Sequence, residues 1–211
     1  MRPHAQQPVG TSGPPPEKSR AAMIMIHGRN ATPASILELV SLIGVPDVHY
    51  VAPAAADNTW YPYSFLEDIE KNEPGISSGY SVIDGLVKDL LGRGLQRDQI
   101  FLLGFSQGAC LASTYAVRHA ARYGGVFALS GGLIGPPGTT WDFPGSFDGT
   151  PVFLGCSDVD GHIPKERVEE SAEVFRRMKA AVTMRLYAGM GHTVNVDEVT
   201  FIRQILTTTI G

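Results

Sequence analysis

Only two cysteines occur in the chain, Cys110 and Cys156, and their placement matches no metal-ligand spacing. Both lie within apolar stretches and are expected to be free core thiols, which argues against a disulfide-built fold and suits a reducing, cytoplasmic setting. Clusters of positive charge are missing as well. The 17 Lys and Arg are outnumbered by 21 Asp and Glu, for a formal net charge of -4, and they form no basic run. A nucleic-acid partner is therefore not expected. No apolar run approaches the ~20 residues of a membrane-spanning helix. Residues 1–20 are polar and contain Pro14-Pro15-Pro16, unlike a signal peptide. They are expected to form a flexible Pro-containing arm, the alternative being an extended segment packed on the body.

What remains is the composition of a globular domain, with 43% hydrophobic and 18% charged residues in 211 positions. That length suits one domain, at residues 21–211, and suffices for a substantial core. Short apolar runs alternate with amphipathic stretches. Ala21–Ile26 (AAMIMI) is too short for a helix and reads as a buried strand. Thr32-Pro33 opens a helix, with Thr as cap and Pro at the first helical position. Residues 48–52, Ile100–Phe105, Gly125–Leu129, 151–155 and 182–187 read as further strands. Helices are expected over 80–93, 107–123 and 164–180, and from a capping box at Asn195 and Glu198 to about residue 208. The alternation predicts an α/β fold, a single mostly parallel sheet with helices on both faces. Two irregular stretches, 54–78 and 131–149, follow strands, where the active-site loops of such sheets gather. Neither is long enough for a large cap domain.

Gly104-Phe105-Ser106-Gln107-Gly108 fits G-x-S-x-G, with a strand ahead of it and a helix behind. At such a sharp turn the serine hydroxyl is exposed, and the residues two before and two after must be small. Ser106 is thus the candidate nucleophile, and it needs a base to take its proton. Three histidines follow it, His119, His162 and His192. His192 is preferred, because Gly189-Met190-Gly191 directly after a strand lets an imidazole reach over the strand ends. His119 falls within the helix after the turn, and His162 would have to share a short loop with the acid. For the acid, Asp158 and Asp160 both follow the strand at 151–155, and spacing barely separates them; Asp142 and Asp148 lie in the preceding loop and are read as solvated. One oxyanion donor is expected from the N–H of Gln107, the other from the loop His27-Gly28-Arg29-Asn30. His27 precedes Ser106 and is read as bracing that loop.

At this point the chain resembles the phospholipase/carboxylesterase group of α/β-hydrolases, which includes bacterial carboxylesterases and acyl-protein thioesterases. The resemblance runs from about residue 21 to 209 and rests on IHGRNAT (26–32), GFSQGA (104–109), ALSGGL (128–133), GCSDVDGHIP (155–164) and YAGMGHT (187–193). It implies an α/β-hydrolase fold and places the catalytic acid four residues before the proline of D-x-x-[IV]-P, hence Asp160 before Pro164. It maps the histidine onto His192 and the second oxyanion donor onto the N–H of Arg29. Relatives often have proline where Gly161 stands. Thioesterase-like members usually carry H-G-x-x-D where this chain has His27-Gly28-Arg29-Asn30-Ala31, so ester hydrolysis is expected ahead of thioester hydrolysis.

The resulting expectation is a Ser-His-Asp carboxylesterase that forms an acyl-enzyme and needs no metal or other cofactor. Its partner is a small or short-chain ester, and oligomeric state is left open, a homodimer included. Trp60 and Tyr61, in the aromatic run Trp60-Tyr61-Pro62-Tyr63-Ser64-Phe65, are candidates for one pocket wall, with Leu133 and Ile134 for the opposite one. The plainer reading of the aromatic run is a loop packing its own rings onto the body. Rival functions are a thioesterase or lysophospholipase, a dienelactone-type hydrolase (typically a cysteine enzyme, against Ser106 here), and a non-catalytic binding module.

Overall fold

A computed structural model describes residues 2–211. Seven strands form one sheet: β1 (Val9–Ser12), β2 (Ala21–Ile26), β3 (Val48–Pro53), β4 (Ile100–Phe105), β5 (Gly125–Leu129), β6 (Pro151–Ser157) and β7 (Ala181–Tyr187), in spatial order β1-β3-β2-β4-β5-β6-β7. All neighbours pair in parallel except β1, which runs antiparallel to β3 with Val9 opposite Pro53. The helices are α1 (Pro33–Leu37), α2 (Leu39–Ile43), α3 (Gly75–Gly92), α4 (Gln107–Arg118), α5 (Lys165–Arg177) and α6 (Val196–Ile210). None among the described residues is long and apolar enough to cross a membrane.

The core lies on both faces of the sheet because successive strand residues point to opposite sides. Ala22, Ile24 and Ile26 of β2 join Ile83 and Val87 of α3, Leu111 and Tyr115 of α4, and Val168 and Phe175 of α5. Ala21, Met23 and Met25 join Ile36 of α1, Ile43 of α2 and Val199, Ile202 and Leu206 of α6. Full burial of both faces explains why β2 reads as an unbroken apolar run.

Three expectations shift. The arm is held as an extended segment, with β1 paired along four residues of β3 and His4 buried. A backbone that completes a sheet edge and seats a buried side chain has lost the freedom that polar composition suggested. Helix α3 starts at Gly75, five residues earlier than its apolar stripe indicated. Helix α4 stops at Arg118, ahead of the expected residue 123, because the Tyr123 N–H turns away to donate to Thr150 Oγ1 at 3.0 Å.

The strand order reverses direction between β2 and β4. In open α/β sheets the crevice beyond the carboxyl ends of strands at such a point is where ligands bind.

Candidate active site

Ser106 stands between β4 and α4 with φ 55° and ψ -121°, a conformation that L-residues rarely hold. Its N–H donates to the Leu129 carbonyl at 2.9 Å, tying the turn to β5. The flanking glycines are sterically required. A Cβ on Gly104 would collide with the Gly108 carbonyl, and one on Gly108 would collide with the Ile26 carbonyl. The backbones of β2, β4 and α4 thus touch at the turn, and the serine projects from it.

Two loops bring polar groups to this hydroxyl. His192 follows β7 in a loop turned by Gly189 (φ 64°) and Gly191 (φ 80°). The Ser106 hydroxyl lies 2.8 Å from His192 Nε2, and His192 Nδ1 lies 2.7 Å from Asp160 Oδ2. An ionised carboxylate only accepts, so Nδ1 carries the proton and Nε2 is left to accept from the serine. Asp160 has a fully buried side chain. Its Oδ1 accepts the N–H groups of His162 at 2.8 Å and Ile163 at 3.1 Å. Burial opposes its ionisation, but the bonds from His192, His162 and Ile163 outweigh burial and hold the carboxyl below the ordinary Asp range. Asp158 is exposed and has a different task. It accepts the Gly189 N–H at 2.8 Å, while Ser157 Oγ accepts that of Gly191 at 3.2 Å, so both fasten the loop that carries His192. His162 packs edge-on against the His192 ring at 4.9 Å, and His119 is exposed, stacked on Tyr115 at the end of α4.

The loop after β2 completes the arrangement. His27 is buried, and burial lowers its pKa, leaving a neutral ring that donates from Nδ1 to the Gly28 carbonyl at 2.7 Å and accepts the Ala55 N–H at Nε2 at 3.1 Å. Gln107 is the first residue of α4, so its N–H has no carbonyl one turn back within the helix, and among the described residues the Arg29 N–H likewise has no backbone acceptor.

The profile of the family described as Phospholipase/Carboxylesterase matches residues 13–210. The chain belongs to the phospholipase/carboxylesterase family. It is a serine hydrolase of that family with the α/β-hydrolase fold. A solved phospholipase/carboxylesterase from Dyadobacter fermentans DSM 18053 is 36% identical, with a TM-score of 0.93 over 98% of this chain and 99% of that one. Acyl-protein thioesterase 1 of Saccharomyces cerevisiae is 30% identical over 72% of this chain and 70% of its own length. Acyl-protein thioesterase 1 of Kluyveromyces lactis is 29% identical over 66% of this chain, and the chain spans 62% of that relative. The Bacillus cereus carboxylesterase, at 16% identity and a TM-score of 0.74, shares the fold.

In this family member the cleft beside Ser106 has a volume of about 490 Å³, and Tyr61, Phe65, Cys110 and Ile163 supply much of its wall. Cys110 sits one helical turn after Ser106. Burial pushes its thiol up to about 12, so it stays protonated and does not compete as a nucleophile. Arg29 closes one side. Its guanidinium donates to the carbonyls of Pro62 at 2.8 Å and Tyr63 at 2.7 Å, clamping the aromatic run.

Of the four predicted pocket residues, only Tyr61 faces the cleft. Trp60 is fully buried behind it, with its indole N–H on the His27 carbonyl at 3.0 Å. An indole that finds both apolar cover and an acceptor in the interior has no reason to line a wet cleft. Leu133 and Ile134 are also buried away from the cleft. Their N–H groups donate to Ser171 Oγ of α5 and Thr114 Oγ1 of α4, both at 2.9 Å, which folds the segment back on the helices. Ile134 faces a separate hollow of about 240 Å³.

Two polar side chains have structural roles that the sequence did not indicate. The Gln107 amide accepts the Trp60 N–H at 2.9 Å and donates to the Tyr61 carbonyl at 2.8 Å, so it binds the aromatic loop to the helix that follows Ser106. Arg167 is buried in α5 and donates to the carbonyls of Leu133 at 2.8 Å and Gly135 at 2.7 Å. Its position next to Val168, on the apolar stripe of α5, was the available signal.

Proposed function

We propose that the protein hydrolyses carboxylic esters of short acyl chain through Ser106, His192 and Asp160. The observation that carries this reading is the unbroken hydrogen-bond chain from the Ser106 hydroxyl through the His192 ring to the buried Asp160 carboxylate. His192 takes the serine proton as Oγ attacks the ester carbonyl, and Asp160 holds the ring tautomer and stabilises the imidazolium. The N–H groups of Arg29 and Gln107 stabilise the developing oxyanion, usually the largest single contribution in acyl transfer. Collapse of the tetrahedral intermediate breaks the ester C–O bond, and the departing alkoxide takes the proton back from His192. Water, deprotonated by the same ring, then attacks the acyl-enzyme and releases the acid. None of these steps calls on a metal or an organic cofactor. The cleft's modest volume and the lack of a large cap favour small substrates taken from solution.

Acyl thioester hydrolysis is the second reading, favoured by the yeast relatives named acyl-protein thioesterase 1. It uses the same groups, since only the leaving atom changes. Two measurements test the proposal. A fluorophosphonate probe should label the protein rapidly and fail to label Ser106→Ala. Matched ester and thioester series of graded acyl length should show turnover highest for the short esters; a maximum on long-chain thioesters would decide for the second reading.

A further inference from the structure

The N-terminal arm reaches the back of the cleft through one residue. His4 is 3% exposed. Its backbone N–H donates to Ser78 Oγ of α3 at 3.0 Å. Its ring Nδ1 accepts the Ala56 N–H at 3.0 Å, and its Nε2 lies 2.9 Å from the Trp60 carbonyl. An N–H at one nitrogen and a carbonyl at the other require the neutral Nε2–H tautomer. Burial, which lowers the His4 pKa, favours that neutral ring. Trp60 is thereby held on several sides. The His4 ring stands edge-on to its indole at 5.1 Å, the His27 ring packs on it at 5.2 Å, and Gly75 leaves just enough space for its carbonyl. Trp60 in turn donates its N–H to the Gln107 side chain, and Gln107 directly follows Ser106.

Anchoring the arm does not require a histidine. Pairing of β1 with β3 already fastens it, and an apolar side chain would fill a buried niche without the desolvation cost of an imidazole. What the imidazole adds is a pair of directed hydrogen bonds, one of them to the residue that holds Gln107. We propose that His4 is a positioning residue for the hydrolytic site: by fixing the Trp60 carbonyl it fixes Gln107, and with it a backbone N–H aimed at the reacting carbonyl. His4 touches no substrate and acts through Trp60. The inference rests on the ester-hydrolase reading above.

The test uses the full chain with 4-nitrophenyl butyrate as substrate, alongside Ser106→Ala. If the parent is no faster than Ser106→Ala, the ester-hydrolase reading itself fails. With an active parent, His4→Ala should lower kcat about ten- to a hundredfold, as small misplacements of catalytic groups do, while KM stays within about threefold. His4→Gln, whose terminal amide can donate to the Trp60 carbonyl, should restore kcat to within about threefold of the parent. His4→Asn, long enough to accept from Ala56 but too short to reach Trp60, should stay impaired; it replaces His4→Ala should that variant not fold. A lowered Tm with parent-like kcat in His4→Ala or His4→Asn overturns the proposal, and so does His4→Gln being as slow as either.

Discussion

The two sides of the site are built by different physics. On the Ser106 side, backbone meets backbone: Gly104 lies against Gly108, and Gly108 against the carbonyl of Ile26, with no space for a single added carbon. On the histidine side, Gly161, Gly189 and Gly191 all have open space where a side chain would go. There the loops are shaped by hydrogen bonds to Asp158, Asp160 and Ser157. Steric contact inside a packed sheet has essentially one solution, and any disturbance is felt by the whole core. A loop held by a few polar bonds can lose one and still fold. A carbon added at Gly104 or Gly108 should therefore damage the fold, whereas removing a side chain bonded along the line from Ser106 to Asp160 should leave the fold and reduce turnover.

On the proposed mechanism, the largest effects should come from Ser106 and His192, with the fold untouched. Ser106→Ala and His192→Ala should each lower kcat by about 10⁶, as removal of one member of such a set does, with Tm near the parent. His162→Ala should keep kcat within about tenfold, because its ring flanks His192 without bonding to Ser106. An inactive His162→Ala beside an active His192→Ala would reverse the two roles. Next is the acid. Asp160→Asn should cost roughly 10⁴ in kcat, since an amide can present the wrong hydrogen-bonding partner to Nδ1. Asp158→Asn keeps an oxygen for the Gly189 N–H and should cost no more than a few-fold. Steady-state kinetics on the two variants would separate them, and an inactive Asp158→Asn would place the acid there.

The steric side of the comparison predicts a loss of stability. Gly108→Ala should destabilise the protein by roughly 3 kcal/mol or more, because the added carbon meets backbone that cannot move without shifting β2. Gly191→Ala meets open space and carries only the penalty of its left-handed φ, about 1–2 kcal/mol. Denaturant unfolding of the pair gives the ordering directly. Equal losses would mean that the elbow relaxes more easily than close packing implies.

The same distinction explains what the sequence could convey. The elbow was legible because steric rules act locally: a buried strand, small residues two before and two after a serine, then a helix. His192 was legible because a glycine-rich run after a strand has few other uses. Asp160 and Asp158 were not separable from spacing, since two residues in one loop reach nearly the same place. What distinguishes them is burial and the direction of neighbouring N–H groups, and only the resemblance to known hydrolases pointed to one. The pocket walls were misread for a related reason. Apolar character at Trp60, Leu133 and Ile134 reports that a side chain leaves water, and both a cleft wall and an interior satisfy that. Anchoring of the arm was hidden because a polar composition says nothing of a single buried histidine with all its bonds made.

The histidine side also carries a group whose ionisation the fold opposes. Glu198 stands in the first turn of α6, directly after the His192 loop, and is fully buried. Its Oε2 accepts the Asn195 N–H at 2.8 Å, closing the capping box, while its Oε1 has no hydrogen-bond partner among the described residues. That oxygen fits against β6 only because position 155 is glycine. Burial pushes the Glu198 pKa up to about 7; the nearby Asp197 charge adds to the rise, and the Asn195 N–H partly offsets it. The unfolded chain releases this proton near the ordinary Glu range of ~4.3. Between those values the folded state binds more protons than the unfolded one, so stability falls as pH rises. The Glu198 contribution is fully present below about pH 4 and is lost through about pH 7, with a total of roughly 3 kcal/mol. Glu198→Gln keeps the shape and an acceptor for Asn195 but does not ionise. It should match the parent at pH 4, exceed its unfolding free energy by roughly 3 kcal/mol at pH 8, and leave turnover of short esters unchanged. Parallel stability curves for the two proteins from pH 5 to 8 would show that Glu198 ionises as freely in the folded chain as in the unfolded one.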